Sequence, residues 1–143
     1  MLDKGGRLRD THDVSGRKYV LYVEDNPANF TLVRRLLEST GNYEVAQAPT
    51  GEQGLDMLQQ RTPDVLLLDL DLPGISGIDV AREVRKRDAW RSLPIIVVTA
   101  SVMKRERVQA EEAGADRFIE KPFDIAELRR AVDEASGVSS SIA

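Results

Sequence analysis

The stretch from Val65 to Gly74, with the sequence VLLLDLDLPG, constrains the fold of this chain more than any other. Four consecutive branched apolar residues are typical of a strand that is buried on both faces, and such strands belong to parallel sheets covered by helices. Pro73 and Gly74 then end the regular structure. Asp69 is therefore predicted to lie where a buried strand opens into a loop, which is where open α/β sheets bind their ligands.

Strand and helix patterns alternate along the rest of the chain. The β-prone runs are residues 19–23, 43–48, 65–68, 95–100 and 117–120, and each is followed by a segment with apolar residues at helical spacing. Asn26 before Pro27, and Asp124 before the last helix, are residue types that begin helices. Five strands alternating with five helices predict an α/β fold with a doubly wound, five-stranded parallel sheet and helices on both faces.

The helices are expected to bury unequal amounts of apolar surface. In the fourth helix, at about residues 104–113, Val108, Ala110 and Ala113 offer little to bury, so this helix is a candidate for the movable part of the structure. Trp90 is interpreted as a packing residue. The last helix carries a fuller apolar stripe, made of Ile125, Leu128, Val132 and Ala135.

Length and composition set broad limits. The chain has 143 residues and no cysteine, so it can fold as one domain without disulfides, and cysteine nucleophiles and thiolate metal sites are excluded. Residues 17–135 are predicted to form that domain, between a flexible N-terminal tail at 1–16, where His12 is interpreted as solvated, and a C-terminal tail at 136–143. No apolar run is long enough for a membrane span and the first residues lack the core of a secretion signal, so a cytoplasmic protein is expected.

The charge pattern argues against a nucleic-acid partner. The formal net charge is −4, whereas a nucleic-acid surface needs a clustered positive field. The basic residues of the third helix have acidic neighbours and are interpreted as a solvated face: Arg82, Arg85, Lys86 and Arg87. The segment after Ala135 is too short for a helix-turn-helix, so no DNA-binding output is expected.

Polar residues close several predicted strands at what should be one edge of the sheet. They are Glu24, Asp25, Asp69, Asp71, Thr99 and Lys121. A single acid here would more often be a helix cap or a loop residue, but here several strand ends carry groups that are suited to the same chemistry. Carboxylates within a few ångströms repel by about 1 to 4 kcal/mol per pair, so a cation is expected, and oxygen ligands favour Mg²⁺. A lysine and a threonine beside them would hold phosphoryl oxygens, which points to phosphoryl transfer to or from an aspartate.

In this order and spacing, these residues resemble the receiver domain of two-component response regulators, and the chain resembles the single-domain type. The resemblance covers about residues 18–135. It rests on four motifs: Val23-Glu24-Asp25-Asn26, Leu68-Asp69-Leu70-Asp71-Leu72-Pro73, Val98-Thr99-Ala100 and Glu120-Lys121-Pro122-Phe123. It implies a flavodoxin-like sheet with strand order 2-1-3-4-5, as in the chemotaxis member of the family, and a cis bond between Lys121 and Pro122.

The resemblance also implies a function. Asp69 would accept a phosphoryl group from a phosphohistidine of a sensor histidine kinase or a histidine phosphotransfer protein, with Thr99 and Lys121 contacting the phosphoryl oxygens. The implied Mg²⁺ ligands are Glu24 through water, Asp25, Asp69 and the backbone carbonyl of Asp71. Such a chain is a phosphoacceptor that signals by altered protein contacts, not an enzyme acting on other substrates. Its downstream target stays open, as does the choice between a monomer and a phosphorylation-dependent dimer.

Phe118 departs from the commonest family pattern, which has tyrosine at this position. The resemblance implies that an aromatic ring here swings inward as Thr99 moves toward the phosphoryl group, so Thr99 and Phe118 form the expected switch. Phenylalanine permits the rotation but lacks the hydroxyl. The fourth helix, the Phe118 strand and the last helix then form the expected output surface.

Two other interpretations stay open. The run Asp69-Leu70-Asp71 also resembles the paired aspartates of haloacid-dehalogenase-like phosphatases, although there the motif follows the first strand and here an acidic strand precedes it. The second is the receiver portion of a hybrid kinase, or a receiver that signals without phosphate. The intact acceptor, Thr99 and Lys121 speak against a degenerate site.

Overall fold

The computed structural model describes residues 16–100 and 103–138, and both the predicted position of His12 and most of the predicted tails lie outside these ranges. Five strands alternate with five helices, as the sequence predicts. The elements are β1 Lys18–Val23, α1 Pro27–Glu38, β2 Tyr43–Ala48, α2 Gly51–Gln60, β3 Val65–Leu68, α3 Gly77–Arg85, β4 Ile95–Thr99, α4 Lys104–Glu112, β5 Arg117–Glu120 and α5 Ile125–Ser136. A short 3₁₀ helix, Asp88–Trp90, follows α3.

The strands form one parallel sheet in the order β2-β1-β3-β4-β5, which confirms the expected flavodoxin-like topology. The chain runs from β1 outward to β2 and then crosses to β3 on the other side of β1, so the switch in direction lies between β1 and β3. Val23 pairs with Leu68, and Leu68 pairs with Val97. Because these strands end close to the same level, the residues that follow them meet at the switch point, where open sheets place their ligands.

Alternate residues of the strands pack on opposite faces of the sheet. Tyr22 and Leu67 join the core beneath α1 and α5, whereas Leu21 and Leu68 join the core beneath α2 and α3. Every residue of β3 is fully buried. The prediction of a strand covered on both faces is therefore confirmed, and Trp90 is buried in the second core, as expected of a packing residue.

Particular residues at the helix ends set where the helices begin and end. The Asn26 side chain accepts backbone N–H groups of α1, and Asp124 does the same for α5, so both predicted caps are confirmed. Gly137 has the left-handed conformation that ends α5 at Ser136, one residue beyond the predicted end of the last helix.

Tyr43 at the start of β2 donates a hydrogen bond of 2.5 Å to buried Asp133, which ties α5 to the sheet.

One of the two predictions about helix faces is wrong. Ile125 is 59% exposed because it is the first residue of α5 and lies at the end of the helix, so its spacing from Leu128 does not bring it into the core. In α4, Val108 is exposed, whereas Ala110 and the following Ala113 are buried, so the prediction that this helix has little apolar surface to bury is confirmed.

Arg85 was predicted on a solvated face, but it links three segments of the chain. Its guanidinium donates to the carbonyls of Trp90, Leu93 and Gly114, at 2.8–3.2 Å. It also pairs with Asp116 at 3.0 Å. The end of α3 is thereby fixed to the strand entering the sheet and to the turn after α4.

None of the helices in the described part of the chain combines the length and apolar character needed to cross a membrane.

Candidate functional site

The carboxylate of Asp69 lies just past β3 and is only 5% exposed, and both of its oxygens accept hydrogen bonds. The Thr99 hydroxyl donates to Oδ1 at 2.8 Å, and the backbone N–H of Asp71 donates to the same oxygen at 3.1 Å. The Lys121 ammonium donates to Oδ2 at 3.1 Å. Asp69 and Asp71 follow β3, Thr99 ends β4 and Lys121 follows β5. Groups from three strands therefore converge on one carboxylate, as the sequence predicts.

Glu24 follows β1 and is still more deeply buried, with 1% exposure. Its Oε1 accepts hydrogen bonds from the Lys121 ammonium at 2.5 Å and from the Tyr22 hydroxyl at 3.1 Å. Its Oε2 accepts the backbone N–H of Asn26 at 3.1 Å. The Gln47 amide also donates to the Glu24 carbonyl, at 2.8 Å. The carboxylate is thus held from several directions in a place that water barely reaches.

Glu24, Asp25 and Asp69 form an acid cluster in which one carboxylate oxygen from each lies within 4.8 Å of the others. Two members are buried and Asp25 is exposed. The Lys121 ammonium supplies one positive charge against three carboxylates, so a net negative charge remains. A hard divalent cation fits this oxygen donor set and this charge, and the exposed side at Asp25 leaves access for water ligands.

Asp71 stands apart from the acid cluster. Its side chain is exposed, and its described contact with the site is the backbone N–H that it donates to Asp69. Partial loss of hydration near the protein surface, followed by the nearby charge of Asp69, raises the pKa of the Asp71 carboxyl above its usual value. The crowding of negative charge therefore extends to this residue.

Lys121 remains charged in this setting. Burial alone would lower the pKa of its ammonium, but the hydrogen bond to Glu24 and the charge of Asp69 outweigh that effect, so the pKa is raised. The peptide bond between Lys121 and Pro122 is cis, as the resemblance implies. The chain therefore places a permanent cation between the two buried carboxylates.

The loop after Asp69 is fixed by contacts that the sequence analysis missed. A Cβ added to Gly77 would lie 2.1 Å from the Asp69 carbonyl oxygen, so only glycine lets α3 begin this close to the acceptor. The Gly77 N–H donates to the Leu70 carbonyl at 3.1 Å. The Glu52 carboxylate, from α2, accepts the Ile75 N–H at 3.3 Å. The acceptor segment is thus held by the helices on either side.

Phe118 lies outside the hydrogen-bonded group around Asp69. It is half-buried and packs against a small cluster of Leu70, Val97 and Ala110, beneath α4. The Arg107 guanidinium, from α4, lies over its ring, 5.1 Å from the ring centre. A cation over an aromatic face is a favourable contact, and here it joins α4 to β5.

Tyr22 is the site residue that sequence reasoning missed most clearly, because it was counted as part of an apolar run. A signal was available: Tyr22 and Glu24 are two residues apart, so they share one side of the strand, and a buried hydroxyl needs a partner. Burial, and then the charge of Glu24, raises the pKa of the Tyr22 phenol far above its usual value. The hydroxyl therefore keeps its proton and acts as a donor.

Known proteins resemble this chain in sequence. The sequence model of the response regulator receiver domain matches residues 20–133. The chain is 36% identical over 108 residues to the polar-differentiation response regulator DivK of Brucella anthropi, a match that covers 76% of this chain and 87% of that protein. DivK of Brucella ovis is 35% identical over the same length.

Solved structures agree in fold. A putative response regulator from Chloroflexus aurantiacus superposes with a TM-score of 0.80 at 31% identity, covering 85% of this chain and 98% of that chain. The receiver domain of the sensor histidine kinase PA1611 from Pseudomonas aeruginosa, solved with a magnesium ion coordinated in its active site cleft, gives a TM-score of 0.78 at 34% identity, with the same coverage. These matches favour the receiver interpretation over the phosphatase one. The chain belongs to the family of response regulator receiver domains.

Proposed function

We propose that this receiver accepts a phosphoryl group on Asp69 from a phosphohistidine of a sensor histidine kinase or a histidine phosphotransfer protein, in a Mg²⁺-dependent reaction, and signals by altered protein contacts. The observation that carries the proposal is the convergence on Asp69: a hydroxyl and an ammonium reach its two oxygens beside a cluster of acids. A purely structural aspartate does not need this surplus of negative charge.

In the proposed transfer, an oxygen of the Asp69 carboxylate attacks phosphorus as the P–N bond breaks, and the bonding pair stays on the imidazole nitrogen of the donor histidine. Lys121 and Thr99 already contact Asp69, so they are placed to hold the phosphoryl oxygens while phosphorus bonds to an Asp69 oxygen. Mg²⁺, bound by Asp25, Asp69 and the backbone carbonyl of Asp71, with Glu24 acting through water, would neutralise charge on the phosphoryl group.

The relatives support the metal assignment, since the receiver of PA1611 carries magnesium in its active site cleft. They also include both response regulators and receiver domains of sensor kinases. The proposed chemistry is the same for a receiver that acts alone and for one that forms part of a hybrid kinase.

Thr99 and Phe118 are proposed to report the modification. Thr99 is fully buried, so a shift of its hydroxyl toward a phosphoryl oxygen would leave room that an aromatic ring can enter. Phe118 is half-buried under Arg107, so its inward rotation would give up the contact between the ring and the guanidinium. The surface formed by α4, β5 and α5 is the proposed output surface.

The acceptor assignment is tested with a small phosphodonor and Mg²⁺. The wild-type chain should gain one hydroxylamine-sensitive phosphoryl group, detected by intact-mass measurement. Asp69→Asn should gain none, while the matched control Asp71→Asn, which removes a carboxylate two residues away, should still be modified. Equal modification of Asp69→Asn would disprove the assignment.

The proposed input is tested separately. Phosphotransfer from a panel of autophosphorylated histidine kinases and phosphotransfer proteins should be fastest for the cognate donor and should require Mg²⁺. Modification by the small phosphodonor without transfer from any phosphohistidine protein would keep the acceptor but reject the proposed class of donor.

A further inference from the structure

Tyr22 is buried in an unusual position for a polar group. It lies in β1, is fully buried and packs near Phe30, with 6.4 Å between the ring centres. Burying a hydroxyl without a partner is unfavourable, so a phenylalanine would serve the core better unless the hydroxyl has a task. Its described acceptor is Glu24 Oε1, at 3.1 Å.

We propose that Tyr22 is a positioning residue for Mg²⁺ binding, acting through Glu24; the inference rests on the proposed function. Glu24 belongs to the acid cluster but is shielded from water, so its direction is set by the groups that bond it. Tyr22 and Lys121 share Oε1, and the Asn26 N–H holds Oε2. The Tyr22 hydroxyl thereby opposes the pull of the Lys121 ammonium on Oε1 and helps to fix the orientation of the Glu24 carboxylate.

The hydroxyl has a specific effect on the competition between Lys121 and a metal ion. Without Tyr22, Lys121 is the donor that remains on Oε1, at 2.5 Å, and the same ammonium also bonds Asp69. The Glu24 carboxylate is then free to turn toward Lys121, which draws its charge away from Asp25 and from the metal. Loss of the hydroxyl should therefore weaken Mg²⁺ binding.

The central test is the Mg²⁺ dissociation constant of the Tyr22→Phe variant, measured by chemical-shift titration of the full chain. We expect about a tenfold weaker affinity, at the lower end of the range for hydrogen-bonding partners that surround a metal site without contacting the ion. Tyr43→Phe is the matched control, because its hydroxyl also bonds a buried carboxylate, that of Asp133. That variant should bind Mg²⁺ as the wild type does.

A double-mutant cycle separates positioning from general disruption. If Tyr22 acts through Glu24, adding Tyr22→Phe to Glu24→Gln should change the Mg²⁺ affinity less than twofold. A tenfold loss in that background as well, or no loss in the wild-type background, would overturn the inference while leaving the proposed function intact. A wild-type chain that binds no Mg²⁺ would overturn both.

A second measurement does not depend on the variant folding. The Tyr22 hydroxyl proton is buried and hydrogen-bonded, so its NMR resonance should move when Mg²⁺ is added to the wild-type chain. The resonance of the Tyr43 hydroxyl proton, remote from the acid cluster, should stay in place. A Tyr22 resonance that does not respond to saturating Mg²⁺ would contradict the inference.

Discussion

Replacing Asp25 with asparagine should stabilise the metal-free protein and at the same time remove most of its response to Mg²⁺. Asp25 is the exposed member of the acid cluster, so the substitution leaves no buried group without a partner. The amide is similar in shape to the carboxylate but uncharged. The change therefore isolates the electrostatic cost of the site.

The size of the effect follows from the geometry. Two unit charges 4.8 Å apart repel by about 0.9 kcal/mol in a water-like dielectric and by about 3.5 kcal/mol at an effective dielectric of 20. Asp25 is exposed, so the lower figure applies. It faces two carboxylates, and the Lys121 ammonium offsets one of them, which leaves one uncompensated charge. The expected gain in the free energy of unfolding is about 1 kcal/mol.

Urea unfolding in EDTA and in Mg²⁺ provides the assay. In EDTA, Asp25→Asn should be more stable than the wild type, and the difference should shrink as salt is added, because exposed charges are screened. At Mg²⁺ concentrations tenfold above the dissociation constant, the wild type should gain about 1.4 kcal/mol, whereas the variant should gain much less. Asp56→Asn, an exposed aspartate of α2, is the control and should match the wild type in both conditions.

Two outcomes would refute this reasoning. A variant that is less stable than the wild type in EDTA would show that the acid cluster is not under electrostatic strain. A variant that gains as much from Mg²⁺ as the wild type would show that Asp25 does not bind the ion.

Three further predictions test the surroundings of the site. Gly77→Ala should lower the free energy of unfolding by about 2–4 kcal/mol in urea titrations, since its Cβ would meet the Asp69 carbonyl oxygen at 2.1 Å and neither backbone can easily move. The pKa of Lys121 is raised in the folded state, so its charge contributes stability that is complete below pH 10.5 and is lost as the pH rises through the higher folded-state pKa. In urea titrations at alkaline pH, the difference in unfolding free energy between the wild type and Lys121→Gln should therefore narrow. Tyr43→Phe should cost about 1–3 kcal/mol of unfolding free energy, measured in the same way, because Asp133 is buried and loses a donor.

The strand ends could be predicted from the sequence because their meeting depends on topology alone. In a parallel sheet all carboxyl ends share one edge, so apolar runs that stop at Glu24, Asp69, Thr99 and Lys121 must bring those residues near each other. No knowledge of side-chain packing is required. The acid cluster and the two groups that contact Asp69 were predicted in this way.

Contacts that depend on backbone atoms distant in the chain could not be predicted. The carbonyls that Arg85 binds carry no signature in the sequence, so its position on a charged helix suggested only a solvated side chain. The approach of Gly77 to the Asp69 carbonyl is hidden for the same reason. Ile125 shows a different limit of sequence analysis. Its spacing from Leu128 fits one helix face, but spacing alone does not reveal that the first residue of α5 stays exposed.

The unequal attachment of the two ends of α4 has a mechanical consequence. The turn that follows the helix is held by Arg85 through the Gly114 carbonyl, whereas the first residue before the helix, Met103, makes no side-chain cap and is 56% exposed. Between them, Ala110 is the helix residue that is buried. Any displacement of α4 should therefore be a rotation about its C-terminal end, so a change at the Asp69 pocket should move the first turn of the helix, the end nearer Thr99, farther than its last turn.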